Sequence, residues 1–177
     1  KYPKVVMYPE YEGMKLQVGE KLGKYNQYCA KELLCEDVHT RRFIGEISDK
    51  EENVYIAEII PTGDVDEIYE TNKKLLSVRK SGIVRTIDVV SENKTCYLIK
   101  EKMDGIPLQQ YLEEKDFQVE ACKNIYEQIM KINRILMTMP NVHSDMRPED
   151  FIVDETDTVW LTEYHTWGDS APEEEIK

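Results

Sequence analysis

The chain has 177 residues, 41% of them hydrophobic and 33% charged, enough for one or two small cores and typical of an ordinary globular protein. Its 35 acidic residues against 23 basic ones leave a formal net charge of -12, which argues against nucleic acid or an anionic membrane as a broad partner. No apolar run approaches the length of a membrane span and no signal peptide opens the chain, so no transmembrane segment is expected.

In chain order, residues 1–33 read as an added segment. Pro3, Pro9 and Gly13 punctuate its start, and Glu10, Glu12 and Glu20 keep it polar. It carries one strand-like stretch and a short helix near residues 27–34. Two antiparallel strands joined through residues 48–53 come next. Residues 65–79 read as a helix with Ile68, Leu75, Leu76 and Val78 on its apolar side, and residues 82–90 as a strand. A further strand leads from Cys96 toward Leu108, and residues 109–113 open a helix. Val119, Cys122, Ile125, Tyr126, Ile129, Ile132 and Leu136 then recur at helical spacing, as expected of a core helix. Apolar residues 151–153 followed by polar residues 154–158 form a hairpin. Cys29, Cys35, Cys96 and Cys122 lack the close paired spacing of a zinc or redox motif, so they read as buried thiols of a reducing, cytoplasmic setting. There is no internal repeat. The chain starts at Lys1 without an initiator Met, which reads as a fragment.

The stretch His143-Ser144-Asp145-Met146-Arg147-Pro148-Glu149-Asp150, its apolar continuation and Glu163-Tyr164-His165 resemble the catalytic loop and metal-binding strand of the protein kinase family. That family uses the pattern His-Arg-Asp-Leu-Lys-Pro-Glu-Asn, with Asp as acceptor of the substrate hydroxyl proton and Asn as a magnesium ligand. The bland alternative is a turn in which Pro-Glu-Asp caps itself with an acid. The resemblance covers roughly residues 34–173. It implies an α+β, two-lobe fold, with a strand-rich N-lobe at 34–103 and a reduced, truncated helical C-lobe at 104–177.

On that resemblance His143, Asp145 and Arg147 are a vestigial catalytic loop, and Asp150 stands where the family has Asn. Asp150 and Glu163 would hold any metal, magnesium or manganese, through oxygen ligands. Residues 54–60 align with the strand that carries the phosphate-binding lysine; Ala57 is retained but Ile59 takes the lysine position, and a shift of one residue would put Glu58 there. Cys35, Asp37 and Thr40 replace the glycines of the phosphate loop, where glycine allows backbone amides to approach anionic oxygens. The hinge, Glu101 to Met103, would face an adenine. Lys100 falls at the back of the pocket, where an ammonium is costly unless paired or reaching water. The helix at 65–79 corresponds to the regulatory helix; Glu70 is nearest to its ion-pairing Glu, with Thr71 and Asn72 equally close by register. Ala171-Pro172-Glu173 resembles the end of an activation segment, but follows Glu163 too soon for a normal substrate platform.

These losses imply a catalytically inactive pseudokinase that binds a protein partner, an active kinase or an assembly component, as a scaffold or allosteric regulator. No cofactor is expected; ATP with Mg or Mn is the ligand to test. One alternative is a divergent metal-dependent phosphotransferase in which Lys100 replaces the missing lysine. Another is a structural cytosolic module of a larger membrane or secretion assembly.

Overall fold

Apolar, β-branched and aromatic residues flank the polar turn at residues 48–51, Phe43 and Ile44 before it and Val54, Tyr55 and Ile56 after it, and the chain folds there into paired strands. The computed structural model describes residues 16–36, 40–60, 64–139 and 141–166. Strands β1 (Lys21–Leu22), β2 (Tyr28–Glu36), β3 (Thr40–Ile47) and β4 (Glu52–Ile59) pair antiparallel in succession. Helix α1 (Val65–Lys73) continues as a 3-10 turn, Lys74–Ser77. Strands β5 (Thr86–Glu92) and β6 (Thr95–Glu101) complete a six-stranded sheet in the order β1-β2-β3-β4-β6-β5. Then come β7 (Ile106–Pro107), α2 (Leu108–Glu114), α3 (Val119–Met137), β8 (Val142–His143), a 3-10 turn Pro148–Asp150, β9 (Phe151–Val153), β10 (Val159–Leu161) and β11 (His165–Thr166). Strand β9 lies between β10 and β7, and β11 pairs with β8. The fold is therefore α+β, strand-rich in its first part with few helices in its second.

The described residues fall into two compact units, one from those up to residue 70 and from 88–99, the other from 71–87 and those after residue 99. The first buries Leu22, Ala30, Phe43, Ile56, Tyr97 and Leu98, each at most 1% exposed. In the second, Ile125, Ile132 and Leu136 of α3 are buried, as are Phe151, Val153 and Leu161 of the β9–β10 hairpin. At the usual area coefficient each fully buried side chain of this size contributes about 1.5–3 kcal/mol. Gly82, at φ +79, suits the turn whose carbonyl accepts the Leu161 amide at 2.8 Å, while Leu161 O accepts from Val84 N at 3.0 Å.

Two expectations need correction. Residues 27–34 are not a helix, because Tyr28–Glu36 is a strand. Its register against β3 shifts between Ala30 and Glu32 and again between Leu33 and Cys35. Such bulges break the period of two, so Ala-Lys-Glu-Leu-Leu imitates a helix in sequence. On α3, Val119 and Tyr126 are 82% and 64% exposed and do not belong to the core stripe. Of the cysteines, Cys29 and Cys96 are buried, and Cys35 and Cys122 only partly so; none of the four forms a disulfide. The segment with Pro3, Pro9 and Gly13, the phosphate-loop position Asp37 and the triplet Ala171-Pro172-Glu173 lie outside the described residues.

Candidate functional site

In the first unit the β3–β4 register sorts the side chains. Thr40 stands opposite Ile59, Arg41 opposite Glu58, Arg42 opposite Ala57 and Phe43 opposite Ile56. Directly opposed residues share a face and neighbours alternate, so Thr40, Arg42, Ala57 and Ile59 lie on one face, and Arg41, Phe43, Ile56 and Glu58 on the other. Cys35 is in turn opposite Arg42. Ile59 is buried at 3% exposure, and the hydroxyl of Thr95 donates to its carbonyl. Glu58 faces away from Ile59: its Oε2 accepts the Leu16 amide at 2.8 Å and its Oε1 lies 3.5 Å from Arg41 Nε. Arg41 Nη2 also donates to the Leu16 carbonyl. The fully buried Glu58 therefore ties down the chain near Leu16. The Arg42 position was not picked out by sequence reasoning; opposition to Ala57 was the missing signal.

The second unit holds a buried cation. Lys100, at the end of β6, is 0% exposed. Its Nζ donates to the Tyr164 carbonyl at 2.6 Å, lies 3.8 Å from Glu163 Oε2 and sits 4.3 Å from the centre of the Tyr164 ring. A carboxylate, a carbonyl and an aromatic face supply what a desolvated ammonium requires. At an effective dielectric of 20, opposite unit charges about 4 Å apart attract by roughly 4 kcal/mol. Glu163 Oε1 also lies 3.8 Å from His165 Nδ1. Tyr164 is fully buried; its hydroxyl is bound to Thr86 Oγ1 at 2.9 Å and to the Val84 carbonyl. Burial pushes its phenol up to about 12.

The loop before this strand is built as a self-capped turn. Asp150 Oδ2 accepts the Arg147 amide at 3.0 Å and lies 3.7 Å from Arg147 Nε, while the Asp150 amide donates to Arg147 O at 2.8 Å. The Asp150 carbonyl accepts both the amide of Thr162, at 2.8 Å, and its hydroxyl, at 3.0 Å. This brings Asp150 and Glu163 into one neighbourhood by main chain, but their carboxylates serve different cations. His143 stands opposite His165 across the β8–β11 pair, Asp145 is exposed, and Met146 takes φ +49 with its amide donating to Ser144 Oγ at 3.1 Å. Among the described residues no three His, Cys, Asp or Glu side chains are grouped so as to hold a metal ion.

At the hinge the Glu101 amide donates to Arg85 O at 2.9 Å, Glu101 is exposed, and Met103 is partly buried. Of the three candidates on α1, Asn72 is the most deeply buried and binds inward. It is 0% exposed, its Nδ2 donates to Thr166 O at 3.2 Å and its Oδ1 accepts the Thr166 amide at 3.1 Å, whereas Glu70 is exposed. An amide here grips the start of the segment after Glu163 with two neutral bonds.

Comparison with known proteins agrees with this architecture. The family model described as "Protein kinase domain" matches residues 64–166. The chain resembles the crystal structure of Rad53 1-466 in complex with AMP-PNP, with TM-score 0.67 and 15% identity, over 78% of this chain and 38% of that one. It also resembles the apo form of PpkA-294, with TM-score 0.64 and 13% identity, over 84% of this chain and 61% of that one. The chain thus spans less than two thirds of either structure. No curated protein matches it.

Proposed function

The chain belongs to the protein kinase domain family, and on that premise we propose that it is a catalytically inactive member, a pseudokinase that serves as a protein-binding scaffold or allosteric regulator. The observation that carries this reading is the buried Lys100–Glu163 pair. In a kinase the carboxylate at the position of Glu163 faces a divalent cation, and transfer relies on fixed positive charge around the phosphates. Here the carboxylate is already neutralised by an internal ammonium, and a divalent ion beside it would meet the charge of Lys100. Asp150 is engaged by Arg147. As placed, these residues do not fit a metal. Isoleucine at position 59 adds no countercharge for an anionic ligand. The partner is an active kinase or an assembly component, and the setting cytoplasmic; among the described residues no helix is long and apolar enough to cross a membrane.

Calorimetric titration with ATP, with and without magnesium or manganese, tests the proposal alongside the thermal midpoint, because a ligand that favours the native state must raise it. No heat and no shift are expected. Metal-dependent binding would overturn the metal-free reading. A second reading draws on the same pair: Lys100 reaches the metal-site carboxylate from another strand, and Asp145 is exposed where a base would stand. A divergent phosphotransferase of this kind predicts weak transfer that Asp145→Asn abolishes without unfolding the protein. Activity that survives the substitution removes it.

A further inference from the structure

We propose that helix α3 pairs antiparallel with α3 of a second copy of this chain, through an apolar stripe that the described residues leave uncovered. Ile125, Ile132 and Leu136 turn one side of the helix into the core of the second unit. Val119, Tyr126, Met130 and Met137 stand at i, i+7, i+11 and i+18, and so line a second side of the same helix. Val119, Tyr126 and Met137 are 82%, 64% and 74% exposed, and Met130 is half-buried. Phe117, also exposed, extends the stripe just ahead of the helix. Of the eight large hydrophobic side chains exposed among the described residues, four therefore gather on α3 and its lead-in. Scattered singly they would need no explanation; lined up on one helix they mark a contact surface.

Charge identifies the occupant. The protein as a whole carries -12, whereas α3 sets Lys123, Lys131 and Arg134 against Glu120 and Glu127, three cations to two anions. Two acidic copies can meet at this helix without the repulsion that opposes contact elsewhere. The charges are also sorted along it, with both glutamates before Gln128 and two of the three cations after it. That order is self-complementary when the partner helix runs the opposite way. A two-fold axis near the middle of the helix, between Glu127 and Gln128, sets Glu120 beside the partner's Arg134, Tyr126 beside the partner's Met130 and Val119 beside the partner's Met137, and symmetry makes each contact twice. A parallel pair would instead oppose each charge to its own copy and lay two helix dipoles side by side in the same sense. The stripe runs the length of a 19-residue helix, about 27 Å, with Tyr126, a residue type enriched at interface anchors, near its centre.

This inference goes beyond the scaffold reading and does not depend on it, because the pairing involves neither nucleotide nor a different protein. Sedimentation equilibrium of the whole 177-residue chain over a range of concentrations should show a reversible dimer. Tyr126→Glu should weaken it roughly tenfold or more, while Tyr25→Glu, at a tyrosine 78% exposed in the first unit, should leave it unchanged. Circular dichroism checks that each variant keeps the parent's fold. E120R and R134E should each weaken the dimer about tenfold, because like charges then meet at both ends of the pair. An equimolar mixture of these two variants should restore it, because each end of the mixed pair again joins a basic side chain to an acidic one. A monomer at every concentration, whatever else covers the stripe, would overturn the proposal, as would a dimer indifferent to Tyr126→Glu. A mixture that restores nothing would overturn the antiparallel pairing.

Discussion

Arg41 with Glu58 in the first unit and Lys100 with Glu163 in the second are both buried ion pairs, 3.5 and 3.8 Å across. The first is a structural clasp: guanidinium and carboxylate both engage the main chain of Leu16, and a planar, permanently charged fork suits that task. The second places a compact ammonium against a carboxylate and the Tyr164 carbonyl. The same pairing chemistry thus clasps the main chain in one unit, and in the other, on the function proposed above, takes the electrostatic role of a ligand. A buried pair is weak evidence for net stability in either case, because desolvation offsets attraction; what distinguishes the pairs is which other atoms share them.

Breaking each pair should separate these roles. Arg41→Leu and Lys100→Met each remove the cation paired with a buried glutamate and should each lower stability by about 3–5 kcal/mol, as read from denaturant midpoints. Manganese should restore part of the loss in Lys100→Met, since removal of the ammonium takes away the competing charge beside Glu163, and should do nothing for Arg41→Leu. Equal metal responses would erase the distinction. A smaller effect is expected from Asn72→Ala, which removes both bonds to Thr166 and leaves its buried amide and carbonyl unsatisfied, at roughly 1–3 kcal/mol. Hydrogen exchange should then quicken at Thr166, while Leu16 keeps its protection. An unchanged Thr166 amide would mean that the clamp does not hold β11.

The smallest effect concerns pH. Tyr164 binds its proton more tightly when folded, about 12 against an unfolded 10.0, so its contribution is fully present below pH 10 and is lost as pH rises toward 12. Cys96, pushed by burial from 9.0 to about 12, acts in the same direction from a lower starting pH, and Tyr28, raised by burial and by Asp88, adds to it. Tyr164→Phe should therefore be less stable at neutral pH and lose less additional stability between pH 10 and 12 than the parent, as followed by alkaline denaturation. An identical alkaline slope would remove Tyr164 from the account.

Much of the fold was legible because periodicity and spacing are local. The β9–β10 hairpin followed from its apolar run and polar turn and α3 from helical spacing, while α2 and most strands followed from the resemblance. The loop at residues 143–150, Lys100 and Glu163 were legible as residue types at particular positions. The β2 strand was not, because its two register shifts hide the alternation. Nor was the solvent exposure of Val119 and Tyr126, since a helical stripe has no label saying which edge meets the core. Asn72 could not be separated from Glu70 and Thr71 by register.

The amino-acid sequence by itself determined most of the elements, α3 and the β9–β10 hairpin among them, and that a lysine interrupts an apolar strand. Only the tertiary structure decided what that lysine does. The distance from Lys100 to Glu163, a sequence separation of 63 residues, and the choice of Arg147 by Asp150 and of Thr166 by Asn72, depend on strand register and helix rotation. Buried charge and buried amides must find partners wherever the packed chain supplies them, and those partners are neighbours in space, not in sequence.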